Sequence, residues 1–170
     1  MKEEKLFDFL KGLGIATKTL RHSPVFTVEE AQAVRHTQGQ AMVGGHAKSL
    51  FLRDKKKRRA LVVVREDHKV DLKSLAEQIG LGRVSFASPN SLLDMLGVTP
   101  GSVTPFALIN AQQPKSEDPA ISVILDKALL AQTPLWFHPL QNAATTSITP
   151  GDLIHFIKAC GYEPKILEII

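Results

Sequence analysis

Stretches with helical and strand periods alternate along the chain, short connections rich in Gly and Pro separate them, and one pair of β-type runs is set to form a hairpin. These observations predict an α/β fold of α+β character: one mixed, largely antiparallel sheet with flanking helices. Interleaved hairpins argue against a doubly wound nucleotide binder. The 170 residues fit a single domain, 1–170, since domains commonly run to roughly 100–200 residues. No internal repeat, low-complexity tract or linker divides them.

Each element has its own signal. Leu6, Phe9, Leu10 and Leu13 have helical spacing, and Gly12 and Gly14 mark the end of that helix. Thr17 to Arg21 reads as a strand broken at His22-Ser23-Pro24. Thr27-Val28-Glu29-Glu30 is a capping box opening a helix through Ala31 and Val34. Gly39 to Gly45 is small and polar, as a turn requires. Ser49–Leu52 and Ala60–Val64 are the two arms of the hairpin. Asp71 caps a helix that reaches Ile79 and stops at Gly80, Val84–Phe86 is a strand, and Ser88-Pro89 opens a helix ending at Gly97. Phe106–Ile109, Ile121–Leu125, Leu135–His138 and Thr145–Ile148 read as strands. Thr149-Pro150 starts a last helix closed by Gly161, and Ile166–Ile169 reads as a final strand.

Charge narrows the partners. The chain carries 21 Lys+Arg against 17 Asp+Glu, a net +4. Arg53-Asp54-Lys55-Lys56-Lys57-Arg58-Arg59 alone supplies that excess; the remaining chain is one charge negative. Such a local patch suits a phosphate backbone, with Lys55, Lys56, Lys57, Arg58 and Arg59 as candidate contacts. It equally suits a solvated hairpin tip that keeps a sheet edge soluble. With 44% hydrophobic and 22% charged residues the composition is that of a globular protein. No run reaches the ~18 apolar residues of a membrane span, and the acids near Met1 do not suit a signal peptide. The single Cys160 forms no internal disulfide and reads as a buried core thiol. Together these features predict a cytoplasmic protein.

Several chemistries lack their residues. There is no Gly-x-Gly-x-x-Gly, no Walker loop and no Gly-x-Ser-x-Gly elbow. The six histidines form no His-x-x-x-His pair with an acid and no Cys-x-x-Cys exists, so neither a metal site nor a cofactor is expected. Three segments nonetheless stand out. Gly44-Gly45-His46-Ala47-Lys48 leads a lysine into a strand, where a plain surface lysine is the bland alternative. Gly97-Val98-Thr99-Pro100-Gly101-Ser102-Val103-Thr104-Pro105 is a stiff loop in which Gly101 allows a ligand close to the backbone, or simply a rigid connector. Phe137-His138-Pro139-Leu140-Gln141-Asn142 through Thr145 gathers an imidazole, an amide and a hydroxyl after one strand, or a turn satisfied by its own side chains.

In order and spacing these segments, with Pro24-Val25-Phe26-Thr27-Val28-Glu29-Glu30-Ala31 and Asp152-Leu153-x-x-Phe156, resemble the YbaK/ProX aminoacyl-tRNA deacylases nearly end to end. That superfamily includes the editing insertion of bacterial prolyl-tRNA synthetase and its freestanding relatives. The nearest subgroup is the freestanding editing proteins that hydrolyse Ala-tRNA(Pro). The resemblance implies a YbaK-like fold and a pocket for the aminoacyl ester at the 3′ acceptor end of a mischarged tRNA. It makes prolyl-tRNA synthetase a candidate partner. The family lysine corresponds to Lys48, the Gly-x-x-x-Pro loop to Gly101 through Pro105, and the family histidine to His138. Phe26, Thr27, Ser49, Ser102, Val103, Thr104, Pro105, Pro139, Asn142 and Thr145 are then the pocket residues. Ser49 departs from the family, which commonly has Asn after the lysine; Ser is shorter and makes fewer hydrogen bonds. His138 is then either a polar wall of the pocket or a proton relay, the wall being the expected role, with its ring held by Asn142. The same fold could instead serve Cys-tRNA(Pro) or another small mischarged residue. A non-catalytic nucleic-acid module using the basic hairpin is the reading from another class.

Overall fold

The computed structural model describes residues 2–38, 42–114 and 118–169. Strand β1 (Lys18–Arg21) follows helix α1 (Lys2–Gly12), and α2 (Val28–Gln38) leads to the long hairpin of β2 (Gly45–Asp54) and β3 (Arg59–Arg65). Then come α3 (Leu72–Gln78), β4 (Val84–Phe86), α4 (Pro89–Leu96), a 3₁₀ helix (Pro105–Ala111), β5 (Ile121–Asp126), α5 (Lys127–Leu130), β6 (Leu135–Phe137), β7 (Ala144–Ile148), α6 (Pro150–Ala159) and β8 (Lys165–Leu167). The sheet order is β1-β7-β6-β2-β3-β5-β8, with β4 added to β2. The β1–β7, β2–β3, β2–β4 and β6–β7 pairs are antiparallel, while β2–β6, β3–β5 and β5–β8 are parallel. The sheet is thus mixed with an antiparallel majority, as expected.

Local chemistry sets the helix starts. Asp71 accepts the Lys73 amide at 3.1 Å and Ser88 the Ser91 amide at 3.1 Å; losing such a cap costs about 1 kcal/mol. The Thr27 hydroxyl accepts the Glu30 amide at 3.1 Å, which is half of the expected capping box. The Glu30 carboxylate meets the Thr27 hydroxyl at 3.4 Å, so the hydroxyl also serves as its donor.

Apolar residues cover both faces of the central strands, which explains the unbroken run Leu61-Val62-Val63-Val64. Leu61 and Val63 face a large core with α1, α4, the 3₁₀ helix and α6, where Phe106 packs edge-on against Phe137 and Phe156 at 5.8 and 5.6 Å. Val62 and Val64 face a smaller core with Leu75 and Ala76 of α3. Cys160 is fully buried, and burial pushes its thiol up to about 12, so it packs as an unreactive apolar group.

Three readings need correction. Phe106–Ile109 is not a strand but part of the 3₁₀ helix. Thr104 caps it by accepting the Phe106 amide, Pro105 occupies its first turn, and its apolar side chains are buried all round. In a four-residue apolar run, period alone does not separate strand from helix. The last strand is Lys165–Leu167, so Glu168 and Ile169 lie beyond it; Ile169 is buried by packing on the smaller core. Helix α5, opened by Asp126, carried no helical period because it is four residues long. Residues 39–41 of the expected turn lie outside the described residues, and Gly45 already belongs to β2.

Candidate active site

The register of the sheet assembles a pocket at the open end of the β2–β3 hairpin. Residues paired across strands point to the same face, and alternate residues along each strand share it. Starting from β2, His46 and Lys48 lie on one face. Lys48 pairs with Val64, and the ladder continues one step further through the Glu66 amide to the His46 carbonyl at 3.0 Å. Glu66 therefore joins that face. His46 pairs with Trp136 of β6, and Trp136 with Ser147 of β7, which puts His138 and Thr145 on the same side. Thr145 pairs with Leu20 of β1, so His22 follows, its amide bonded to the Ala143 carbonyl at 3.0 Å. Strands from distant parts of the chain thus present His22, Thr145, His138, Trp136, His46, Lys48 and Glu66 together. Val28, Ala31, Val34 and Arg35 of α2 form the facing wall, and the enclosed volume is about 250 Å³.

The pocket histidines and the Arg35–Glu66 pair have fixed partners. The His22 Nδ1–H donates to the Ser23 carbonyl at 2.8 Å, leaving Nε2 to accept the Thr145 hydroxyl at 2.7 Å. His138 Nδ1–H donates to the Ala144 carbonyl at 3.0 Å, so Nε2 keeps its lone pair. Burial lowers the His138 pKa below its ordinary 6.5, and nearby His22 lowers it further, against the raising effect of the Ala144 bond. The net shift favours the neutral imidazole. His46 stacks on Trp136 with centroids 6.4 Å apart and donates from Nε2 to the Met42 carbonyl at 2.8 Å. Its pKa is also lowered, by burial first and then by the Arg35 charge. Arg35 pairs with Glu66 Oε1 across the gap between α2 and the sheet.

Most of the expected site residues meet here. Lys48, Gly101, His138, Phe26, Thr27, Ser49, Val103 and Thr145 all line the pocket. Lys48 sits inside β2, four residues into the strand, rather than at a loop edge. Gly101 has φ +91°, a conformation favouring glycine, and a side chain there would meet the Phe26 ring at 3.5 Å. Phe26 itself is 67% exposed at the rim.

Five expected residues do not line the pocket. Ser102, Thr104 and Pro105 are buried behind the loop that presents Gly101 and Val103, and Pro139 is buried behind His138. Asn142 does not hold the His138 ring. Its Nδ2 donates to the Val25 carbonyl at 2.8 Å and its own carbonyl accepts the Val25 amide at 3.1 Å, which anchors the 22–27 rim segment. His22, Arg35, His46, Glu66 and Trp136 were not singled out in the sequence as site residues, because they meet only through strand pairing. Gly44 and Gly45 serve that pairing: a side chain on Gly44 would strike the Pro134 carbonyl at 2.2 Å.

The basic run stands elsewhere. Asp54 closes the tip by accepting the Arg58 amide at 2.9 Å and its Nε at 2.6 Å, and Lys57 has φ 61°. Lys55 to Arg58 are exposed and Arg59 is half-buried in β3. Lys55 stands seven positions after Lys48, just beyond the end of β2, roughly 24 Å away at the usual strand rise. Among the described residues, no group of three or more His, Cys, Asp or Glu could hold a metal ion, and no helix is long and apolar enough to cross a membrane.

The model of the aminoacyl-tRNA editing domain family matches residues 22–156, which span every pocket residue named above. The prolyl-tRNA synthetase associated domain-containing protein 1 of Mus musculus is 37% identical over 165 residues, covering 94% of this chain and 91% of the relative. The prolyl-tRNA editing protein ProX of Acetoanaerobium sticklandii is 36% identical over 161 residues, covering 94% and 93%. A crystal structure of a candidate trans-editing enzyme for prolyl tRNA synthetase superposes with a TM-score of 0.71 at 22% identity, covering 99% of this chain and 96% of that one. At that identity it supports the fold alone.

Proposed function

The chain belongs to the aminoacyl-tRNA editing domain family, the aminoacyl-tRNA deacylases of YbaK/ProX type, and from that premise we propose that it removes alanine from Ala-tRNA(Pro) in the cytoplasm, acting as one domain over residues 1–170. The observation that carries this reading is the placement of Lys48, His138 and Gly101 around one pocket of about 250 Å³. An aminoacyl ester is already activated, so position and charge complementarity suffice without a covalent nucleophile.

In this reading the ester lies along the sheet face. Lys48 holds the terminal phosphate or ribose and fixes the ester. A water placed by the Gly101 backbone and the lone pair of His138 Nε2 attacks the carbonyl, with the free ribose hydroxyl assisting. Water's oxygen bonds to the carbonyl carbon, the bond to the ribose oxygen breaks, and that oxygen takes up the proton water loses. Val28, Ala31 and Val34 of α2 surround the amino-acid side chain. A synthetase pocket built for proline rejects smaller alanine poorly, because one or two missing methylenes are worth only ~1–3 kcal/mol each. A small second pocket solves this by admitting alanine and displacing the proline ring; a shift of about 1 Å costs roughly 100-fold in rate. The names of the relatives support prolyl-tRNA synthetase as the partner that produces the substrate.

The test is deacylation of tRNA(Pro) charged with alanine, serine, cysteine or proline. Alanine should be released fastest and proline spared. A preference for cysteine moves the substrate to that residue, and tRNA binding with no ester loss overturns the enzymatic reading.

A further inference from the structure

Among the described residues that line the pocket, Glu66 carries the one carboxylate, and it faces two cations, Lys48 and Arg35. The register fixes where it stands. Glu66 lies opposite His46 and diagonal to Lys48, so its side chain leaves the sheet roughly 7–8 Å from that of Lys48 on the same face. Arg35 binds Oε1 from α2. A carboxylate has about four lone-pair positions, so this bond leaves acceptor capacity at Oε2. The side chain is 12% exposed, so water screens it little.

A substrate with an α-ammonium group brings a positive charge into this pocket. The α-nitrogen is one carbon from the ester carbonyl and so enters the same pocket, where Glu66 is the carboxylate able to meet it. We propose that Glu66 binds the α-ammonium of the aminoacyl ester through Oε2, with Arg35 orienting its carboxylate as a positioning residue. This rests on the deacylase reading above and adds a selection to it. The pocket takes esters with a free α-ammonium and rejects those whose nitrogen is acylated, such as peptidyl esters, or replaced by an uncharged hydroxyl.

The experiment compares alanyl-tRNA(Pro) with lactyl-tRNA(Pro), in which a hydroxyl replaces the ammonium, and with N-acetyl-alanyl-tRNA(Pro). Each rate is divided by the buffer-only hydrolysis of the same ester, because the ammonium itself activates the carbonyl. The wild-type protein is expected to favour alanyl over lactyl by roughly ten- to hundredfold, the worth of one charged hydrogen bond, and to spare the N-acetyl ester. Glu66→Gln should lower the alanyl rate by that factor and leave the lactyl rate unchanged, and Glu66→Asp should keep part of the preference. The lactyl rate reports on folding. A wild-type alanyl to lactyl ratio near one overturns the proposal while leaving the deacylase reading standing, as does a Glu66→Gln protein that loses both esters in parallel. A wild-type protein that hydrolyses none of the three esters fails the deacylase reading itself.

Discussion

At the tip of the β2–β3 hairpin Lys55, Lys56, Lys57 and Arg58 are exposed, whereas at its open end Lys48 and Arg35 are half-buried beside Glu66, His46 and Trp136. The tip is rich in charge and poor in contacts: Arg58 is tied to Asp54, and Lys55, Lys56 and Lys57 project into solvent. The open end has few charges, but the sheet register, a ring stack and an ion pair give each one a direction. Exposed charge attracts a polyanion from any orientation and is screened beyond about 8–10 Å at ordinary salt. Oriented, partly desolvated charge recognises one arrangement of atoms. Under the proposed function, the exposed tip is a candidate for tRNA approach, and the open end, where Arg35 of α2 meets the hairpin, is a candidate for ester chemistry.

The sharpest way to break this comparison is to remove the pocket lysine. Lys48→Ala should cut deacylation of Ala-tRNA(Pro) by roughly 100-fold or more while its circular dichroism and melting temperature stay near wild type, since a half-buried lysine adds little to either core. A folded variant with the wild-type rate would remove Lys48 from the site. His138→Ala should lose about ten- to hundredfold by releasing the water that Nε2 holds. The pH profile sharpens this claim. Because burial and His22 hold the His138 pKa below its ordinary 6.5, more than half of the imidazole still has its Nε2 lone pair at that pH. The rate corrected for buffer hydrolysis should fall to half its plateau only below pH 6.5 in the wild type, and this acid limb should vanish in His138→Ala. A half-point above 6.5 would contradict the lowered pKa.

A smaller effect is expected at the tip. Burial pushes the Asp54 pKa up, but hydrogen bonds from the Arg58 amide and guanidinium, with the Arg58 charge, bring it net below its ordinary 3.8. A depressed carboxyl pKa stabilises the fold above the unfolded value and stops doing so as pH falls through the folded one. Asp54→Asn should therefore lower the melting temperature slightly at neutral pH, with the gap closing below pH 3.8, and leave deacylation of an aminoacyl-adenosine unchanged. A gap that persists in strong acid would mean that the Asp54 charge is not what closes the turn.

How much of this was legible in the sequence follows the range of the interactions. Thr27, Asp71, Ser88 and Thr149 announce their helices because a cap acts within three residues. Lys48, Gly101 and His138 were found from segments whose resemblance extends over the chain. Glu66 and His46 carry no local signal, although the hairpin implied them: a turn centred near Lys56 pairs His46 with Glu66 and Lys48 with Val64. Trp136, His22 and Arg35 needed the order β1-β7-β6-β2-β3 and the placement of α2, which involve contacts such as that of His22 with Thr145, 123 positions apart. Phe106–Ile109 was misread for a related reason: an element buried on all sides loses the alternation that distinguishes a strand from a helix.

The most direct test of the division of labour uses two substrates and two variants. Wild type, Lys48→Ala and a protein with Lys55, Lys56 and Lys57 replaced by Gln are assayed on Ala-tRNA(Pro) and on alanyl-adenosine, which has the ester and lacks the tRNA body. The tip variant should bind tRNA more weakly, with a flatter salt dependence, and hydrolyse alanyl-adenosine at the wild-type rate, while Lys48→Ala loses both substrates. A tip variant that loses alanyl-adenosine hydrolysis as severely as Lys48→Ala would contradict the assignment of the chemistry to the open end of the hairpin.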